Sequence, residues 1–145
     1  MQITPFTLLN LCAPLRYVRS VRRETELLKN EELKNGEILL CYEVNPVQGC
    51  SIEPDRERFL GKLLFTGEKS PETPGRSEVS LPQGVYLFSQ SRADTVLTRD
   101  EWLDLAIEQQ KDGLWERNKP GNLLYIRFLF EDGAFVTQVL RAIEN

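Results

Sequence analysis

The 145 residues include no histidine. That removes the commonest general base, the commonest zinc ligand and every Ser–His or Cys–His nucleophile. The three cysteines, Cys12, Cys41 and Cys50, lack the paired spacing of a zinc site. Acid–base chemistry would fall to carboxylates, tyrosine, lysine or a lone thiol. The carboxylate with the most apolar surroundings is Glu43, in Ile38-Leu39-Leu40-Cys41-Tyr42-Glu43-Val44. In a partly dry pocket such a group would be hard to ionise and available for proton transfer. Its plainer role is a solvated residue at a strand edge. Aromatic walls suit planar or cationic ligands, and Tyr42, Tyr86, Trp102 and Trp115 are the candidates. Trp102 falls on the apolar stripe of a helix and is assigned to the core. Trp115 lies just past the end of that helix, at the rim of any groove. Tyr86 follows a turn at Gly84 and suits either setting.

Strand alternation sorts further candidates. In Leu123 to Phe130, one face carries Leu124, Ile126, Phe128 and Phe130, and this uniformly apolar set should meet the helices. The opposite face carries Leu123, Tyr125, Arg127 and Leu129. Tyr125 and Arg127 are therefore pocket candidates, the plainer alternative being an amphipathic outer face. In the last strand, Val136, Gln138 and Leu140 oppose Phe135, Val139 and Ile143, and either set could face the core.

The elements that must carry these residues are readable from local signals. Thr98-Arg99-Asp100-Glu101 has the form of a capping box and opens a helix over 99–112, with Gly113 at its C-terminal cap. Asp132-Gly133 between two β-prone runs marks a hairpin. The second half thus reads strand, helix, strand, strand. The first half repeats the order: a strand over 11–22 that is similar to 81–92, a charged helix over 23–35, and strands over 37–45 and 58–66. A Pro- and Gly-bearing loop separates those last two strands. The segment 67–77 reads as an exposed linker. The expected fold class is α+β: a duplicated β-α-β-β unit forming one antiparallel sheet. Two helices would cover one face, with a concave ligand groove on the other. The chain is read as a single domain of two repeats, about 1–67 and 78–145.

Composition sets bounds. Apolar residues make up 41% and charged residues 28%, an ordinary globular balance. The net charge of −4 argues against general affinity for nucleic-acid phosphates. Arg16, Arg19, Arg22 and Arg23 cluster locally, as a solvated strand and helix start would. No charged-then-apolar leader is present at the N-terminus, and no apolar run approaches the roughly 20 residues that span a bilayer. The expected setting is the cytoplasm, with reduced thiols.

Some phrases are similar to a known family. Leu81-Pro82-Gln83-Gly84-Val85-Tyr86-Leu87-Phe88 resembles the apolar-Pro-small-Gly-then-Tyr entry to the second half of GyrI-like domains. These are the effector-binding modules of many bacterial drug-sensing transcription regulators. Ile38 to Pro46 resembles that family's hairpin strand, 58–65 its return strand, and Phe135 to Leu140 its closing strand. The Gly-Pro-aromatic phrase frequent in the family is replaced by Arg23-Glu24-Thr25 and Ala93-Asp94-Thr95. The closing-strand glutamate that meets cationic ligands or performs catalysis in the family falls at Gln138, which supplies no charge.

The resemblance implies a stand-alone domain binding a small apolar or aromatic molecule. Tyr42, Glu43, Tyr86, Trp115, Tyr125, Arg127 and Gln138 are the ligand-binding candidates. No catalytic residue, metal or cofactor is expected, nor contact with nucleic acid or membrane. The alternatives are a GyrI-like hydrolase using Glu43 and a tyrosine, and a protein-interaction module such as a gyrase modulator.

Overall fold

The computed structural model describes residues 2–19, 33–34, 36–43, 62–68, 78–111 and 113–144. These form nine strands in one antiparallel sheet: β1 (Gln2–Ile3), β2 (Thr7–Leu11), β3 (Leu15–Arg19), β4 (Ile38–Glu43), β5 (Lys62–Glu68), β6 (Glu78–Leu81), β7 (Gly84–Ala93), β8 (Lys119–Glu131) and β9 (Ala134–Glu144). Among the described residues the one helix with printed bounds is α1 (Arg99–Gln110), followed by a short 3-10 turn, Gly113–Glu116; Leu33 is also helical.

The strand pairings run β7-β9-β8-β4-β5-β3-β6, with β1 and β2 on the free side of β7. Strand β6 leads into β7 through Pro82 and Gln83, and β2 leads into β3 through 12–14. The β3–β6 ladder (Leu15↔Leu81) and the β2–β7 ladder (Leu11↔Gly84) are therefore successive stretches of one long pairing. The sheet returns on itself as a ring of strands with an inside and an outside.

This corrects the expected fold class. The described chain is mostly antiparallel strand with one helix, not a sheet with two helices on one face and an open concave groove opposite. The reason is strand length and pairing. The run 78–93 is hydrogen-bonded by β2 and β3 on one side and by β9 on the other, so the face opposite α1 curls into an enclosed interior. The first helix, expected over 23–35, lies outside the described residues apart from Leu33 and Lys34. The linker expected over 67–77 also lies outside, except that Gly67 and Glu68 belong to β5.

Local chemistry explains the elements that hold the frame. The Thr98 hydroxyl accepts from Glu101 N–H at 3.3 Å, and the Glu101 carboxylate accepts from Thr98 N–H at 3.0 Å, which completes the capping box. The helix is capped at its other end by Lys111, two residues before the expected Gly113. Asp132 and Gly133 both take positive φ (52° and 77°), the two-residue turn whose twist matches the β8–β9 hairpin.

Two cores result. On the outside, α1 lays Trp102, Leu103 and Ala106 against Leu40, Ile126 and Val139 of the sheet. Gln109 secures it by donating to the Val139 carbonyl at 2.9 Å. The even-numbered residues Leu124, Ile126 and Phe128 of β8 belong to this outer core, as alternation predicts. On the inside, Tyr17, Leu39, Cys41, Leu81, Tyr125 and Leu140 are drawn from five strands and are almost fully buried. This second core is what a ring can build and an open sheet cannot.

Candidate functional site

Inside the ring the side chains lie in layers set by register. One layer is polar. Gln90, Gln138 and Arg127 stand opposite one another on β7, β9 and β8. The Arg127 guanidinium donates from Nη1 to Gln138 Oε1 at 3.0 Å, and Gln138 Nε2 donates to Gln90 Oε1 at 3.0 Å. On its other side Arg127 grips Glu37, the residue just before β4, from Nη2 at 2.8 Å and Nε at 3.2 Å. Nε also reaches the Tyr17 hydroxyl at 3.0 Å, and that hydroxyl donates to Glu37 at 3.0 Å. Five residues from five segments thus form one connected chain of hydrogen bonds. The ion pair keeps only 16% and 15% side-chain exposure. Burial works against the charge on Arg127, but Tyr17 and Glu37 more than offset it and hold its pKa above the ordinary value. Burial pushes the Tyr17 hydroxyl well above its usual range; Arg127 opposes that shift and Glu37 adds to it.

The neighbouring layers are aromatic and apolar. Tyr125 lies across from Cys41 on β4 and Leu140 on β9. Burial, reinforced by the neighbouring Cys41 and Tyr86, pushes its hydroxyl well above the ordinary range. Tyr86 meets Tyr125 edge to face, with centroids 6.0 Å apart and an 86° angle between planes. The Tyr86 hydroxyl donates to the carbonyl of Pro82, and burial pushes its pKa up to about 12.

Beside this pair the ring opens. A cavity of about 190 Å³ has Pro82, Gln83, Tyr86, Leu123, Tyr125 and Ile143 among its lining residues. It adjoins a second, of about 370 Å³, through the shared residues Leu123, Ala142 and Ile143. The second cavity exists because the β8–β9 register breaks between Pro120 and Leu124. Gly121 makes the break possible: a Cβ there would sit 3.2 Å from the Ala142 carbonyl oxygen. The buried Arg141 fastens the bulge by donating from Nε to the Gly121 carbonyl at 2.8 Å, and burial pushes its pKa down to about 10.

The sequence candidates divide accordingly. Tyr86 and Tyr125 meet at the smaller cavity. Arg127 and Gln138 are joined in the polar layer behind them. Tyr42 lies in the outer core, packed on Trp102 with ring centroids 5.4 Å apart, on the opposite side of the sheet from Tyr125. Glu43 holds register opposite Leu123 and Lys62, and Trp115 lies in the 3-10 turn; their side chains fall outside the described residues. Sequence reading missed Tyr17, Glu37 and Gln90. Alternation of Leu15 with Tyr17 marks Tyr17 as inward-facing. Glu37 precedes its strand and carries no local signal. Among the described residues no cluster of His, Cys, Asp or Glu could hold a metal ion, and no helix is long and apolar enough to cross a membrane. Comparison with known proteins finds no match to a family model, a curated protein or a solved structure.

Proposed function

We propose that this chain is a small-molecule-binding domain whose ligand enters the end of the strand ring between Tyr86 and Tyr125. The observation that carries this reading is the cavity beside the perpendicular tyrosine pair. Its size suggests the ligand. An apolar cavity of about 150 Å³ accommodates benzene, and drug-sized ligands need about 300 Å³ or more. A cavity of about 190 Å³ suits a single aromatic ring. Substituents would extend into the adjoining space beside the Gly121 bulge. The resemblance to GyrI-like effector modules points the same way, with the ligand inside a ring of strands and not in an open groove. The hydrolase alternative gains nothing from this wall, because tyrosines held in their neutral form are poor bases at neutral pH.

Calorimetric titration with toluene, indole and anisole tests the reading. Saturable binding by the native chain is expected. Ala142→Phe, which fills the cavity, should abolish it while leaving the circular dichroism spectrum unchanged. Absence of binding to the native chain, or undiminished binding to Ala142→Phe, refutes it.

A further inference from the structure

Resting on that reading, the break in the β8–β9 ladder sets how long a ligand the site can take. Pro120 pairs with Ile143 and Leu124 with Arg141, so Gly121, Asn122 and Leu123 together face Ala142 alone. The extra residues make a bulge. An insertion of two keeps every side chain on its own face of the sheet, and the ladder is regular again from Leu124. Leu123, on the bulge, lines both cavities. The larger, at about 370 Å³, falls within the size range of small-molecule pockets and is open on one side. It has room for more than a methyl or hydroxyl substituent.

The bulge is held in place by a charged side chain. Arg141 is 3% exposed, and its Nε donates to the Gly121 carbonyl at 2.8 Å. Taking a guanidinium out of water is costly, and an unbroken ladder would satisfy its carbonyls from the facing backbone without it. Arg141 lines neither cavity itself. We propose that the site takes elongated aromatics, a single ring carrying a flexible tail of several atoms. The ring lies against Tyr86 and Tyr125, and the tail enters the chamber beside the bulge. Arg141 is a positioning residue: it keeps that chamber open through the Gly121 carbonyl and does not touch the ligand.

The experiment compares benzyl alcohol with 4-phenyl-1-butanol by calorimetry. The two share a ring and a hydroxyl and differ by three methylenes. A fully buried methylene is worth about 4-fold in affinity, and in a chamber open on one side about half of that free energy is expected. The longer alcohol should therefore bind the native chain about 10-fold more tightly. Deleting Gly121 and Asn122 sets Leu123 opposite Ala142 in a continuous ladder, so the ratio should fall to about 2 or less. Arg141→Met should lower the ratio too, and Arg141→Lys, which keeps a donor, should restore most of it. General loosening of the fold would weaken both alcohols alike and leave the ratio where it was; circular dichroism checks that each variant is folded. A native ratio near one, or a native-like ratio in both the deletion chain and Arg141→Met, overturns the length rule and leaves the smaller cavity as a site for a bare ring. A ratio lost in the deletion chain but kept in Arg141→Met overturns the role of Arg141. Failure of both alcohols to bind the native chain removes the ring site, and the rule with it.

Discussion

The ion pair inside the ring allows a quantitative prediction. Replacing Glu37 with leucine removes two contacts to Arg127, at 2.8 and 3.2 Å, and the acceptor for Tyr17. Arg127 keeps Gln138 and the Tyr17 hydroxyl but loses its counter-charge. Breaking a fully buried pair costs about 3–5 kcal/mol, whereas an exposed pair is worth about 0–1 kcal/mol. At 15–16% side-chain exposure some water reaches both groups, which places Glu37→Leu at about 2–3 kcal/mol. Arg127→Met, which strands the carboxylate instead, falls in the same range. The double variant leaves neither charge of the pair, only Tyr17 and Gln138 short of a partner, and should cost about 1–2 kcal/mol, well below the sum of the singles. Equilibrium urea unfolding of the four proteins completes the cycle. Strictly additive costs, or a Glu37→Leu chain within about 0.5 kcal/mol of native, would show that the pair is solvated like a surface bridge and that the reasoning fails.

Three further outcomes are expected. Trp102→Ala empties a nearly fully buried site beneath α1 and should cost about 3–5 kcal/mol in the same urea assay. Thr98→Ala removes the hydroxyl of the capping box and should cost about 1 kcal/mol, with Thr98→Ser restoring most of it. The tyrosines make stability sensitive to alkali. Tyr86, at about 12 when folded against about 10 when unfolded, contributes stability that is intact below pH 10 and lost as pH rises through 12. The phenolate absorbance of Tyr17, Tyr86 and Tyr125 should therefore lag that of free tyrosine and rise together with loss of the strand signal in circular dichroism. Titration of all tyrosines near pH 10 in a still-folded chain would contradict the burial of these rings.

Signals that act within a few residues were legible in the sequence. The capping box at Thr98, the turn at Asp132-Gly133 and the alternation along β8 each depend on neighbours in the chain. The structure shows them as helix start, hairpin and inside–outside division. Alternation likewise placed Tyr125 and Arg127 together on one face. The ring was not legible, because pairing Leu11 with Gly84 and Leu15 with Leu81 depends on partners far apart, and no local pattern reports them. An apolar alternating strand reads the same whether its second face lines a groove or fills an interior. Tyr42 was grouped with the pocket for the same reason. Its own strand parity sets it with Ile38 and Leu40, but which parity faces inward becomes known only when β4 pairs with β8. The rest of the polar layer escaped because Glu37, which pairs with Arg127, and Gln90, which pairs with Gln138, come from segments with no sequence relation to β8.

The long pairing that closes the ring also bears on how the chain reaches it. The β8–β9 hairpin can form as soon as its turn does, since its partners are close in sequence. Closure requires the first strands to find the middle of the chain; the hydrogen bond from Ser89 to Thr4 joins residues 85 apart. Bringing together ends so distant costs loop entropy before any contact rewards it, and topologies dominated by such pairings fold slowly. During synthesis, residues 2–19 must wait until 78–93 have emerged, with Leu9, Leu11 and Leu15 temporarily uncovered. The interval before closure, more than the finished ring, is when this chain is most exposed to aggregation.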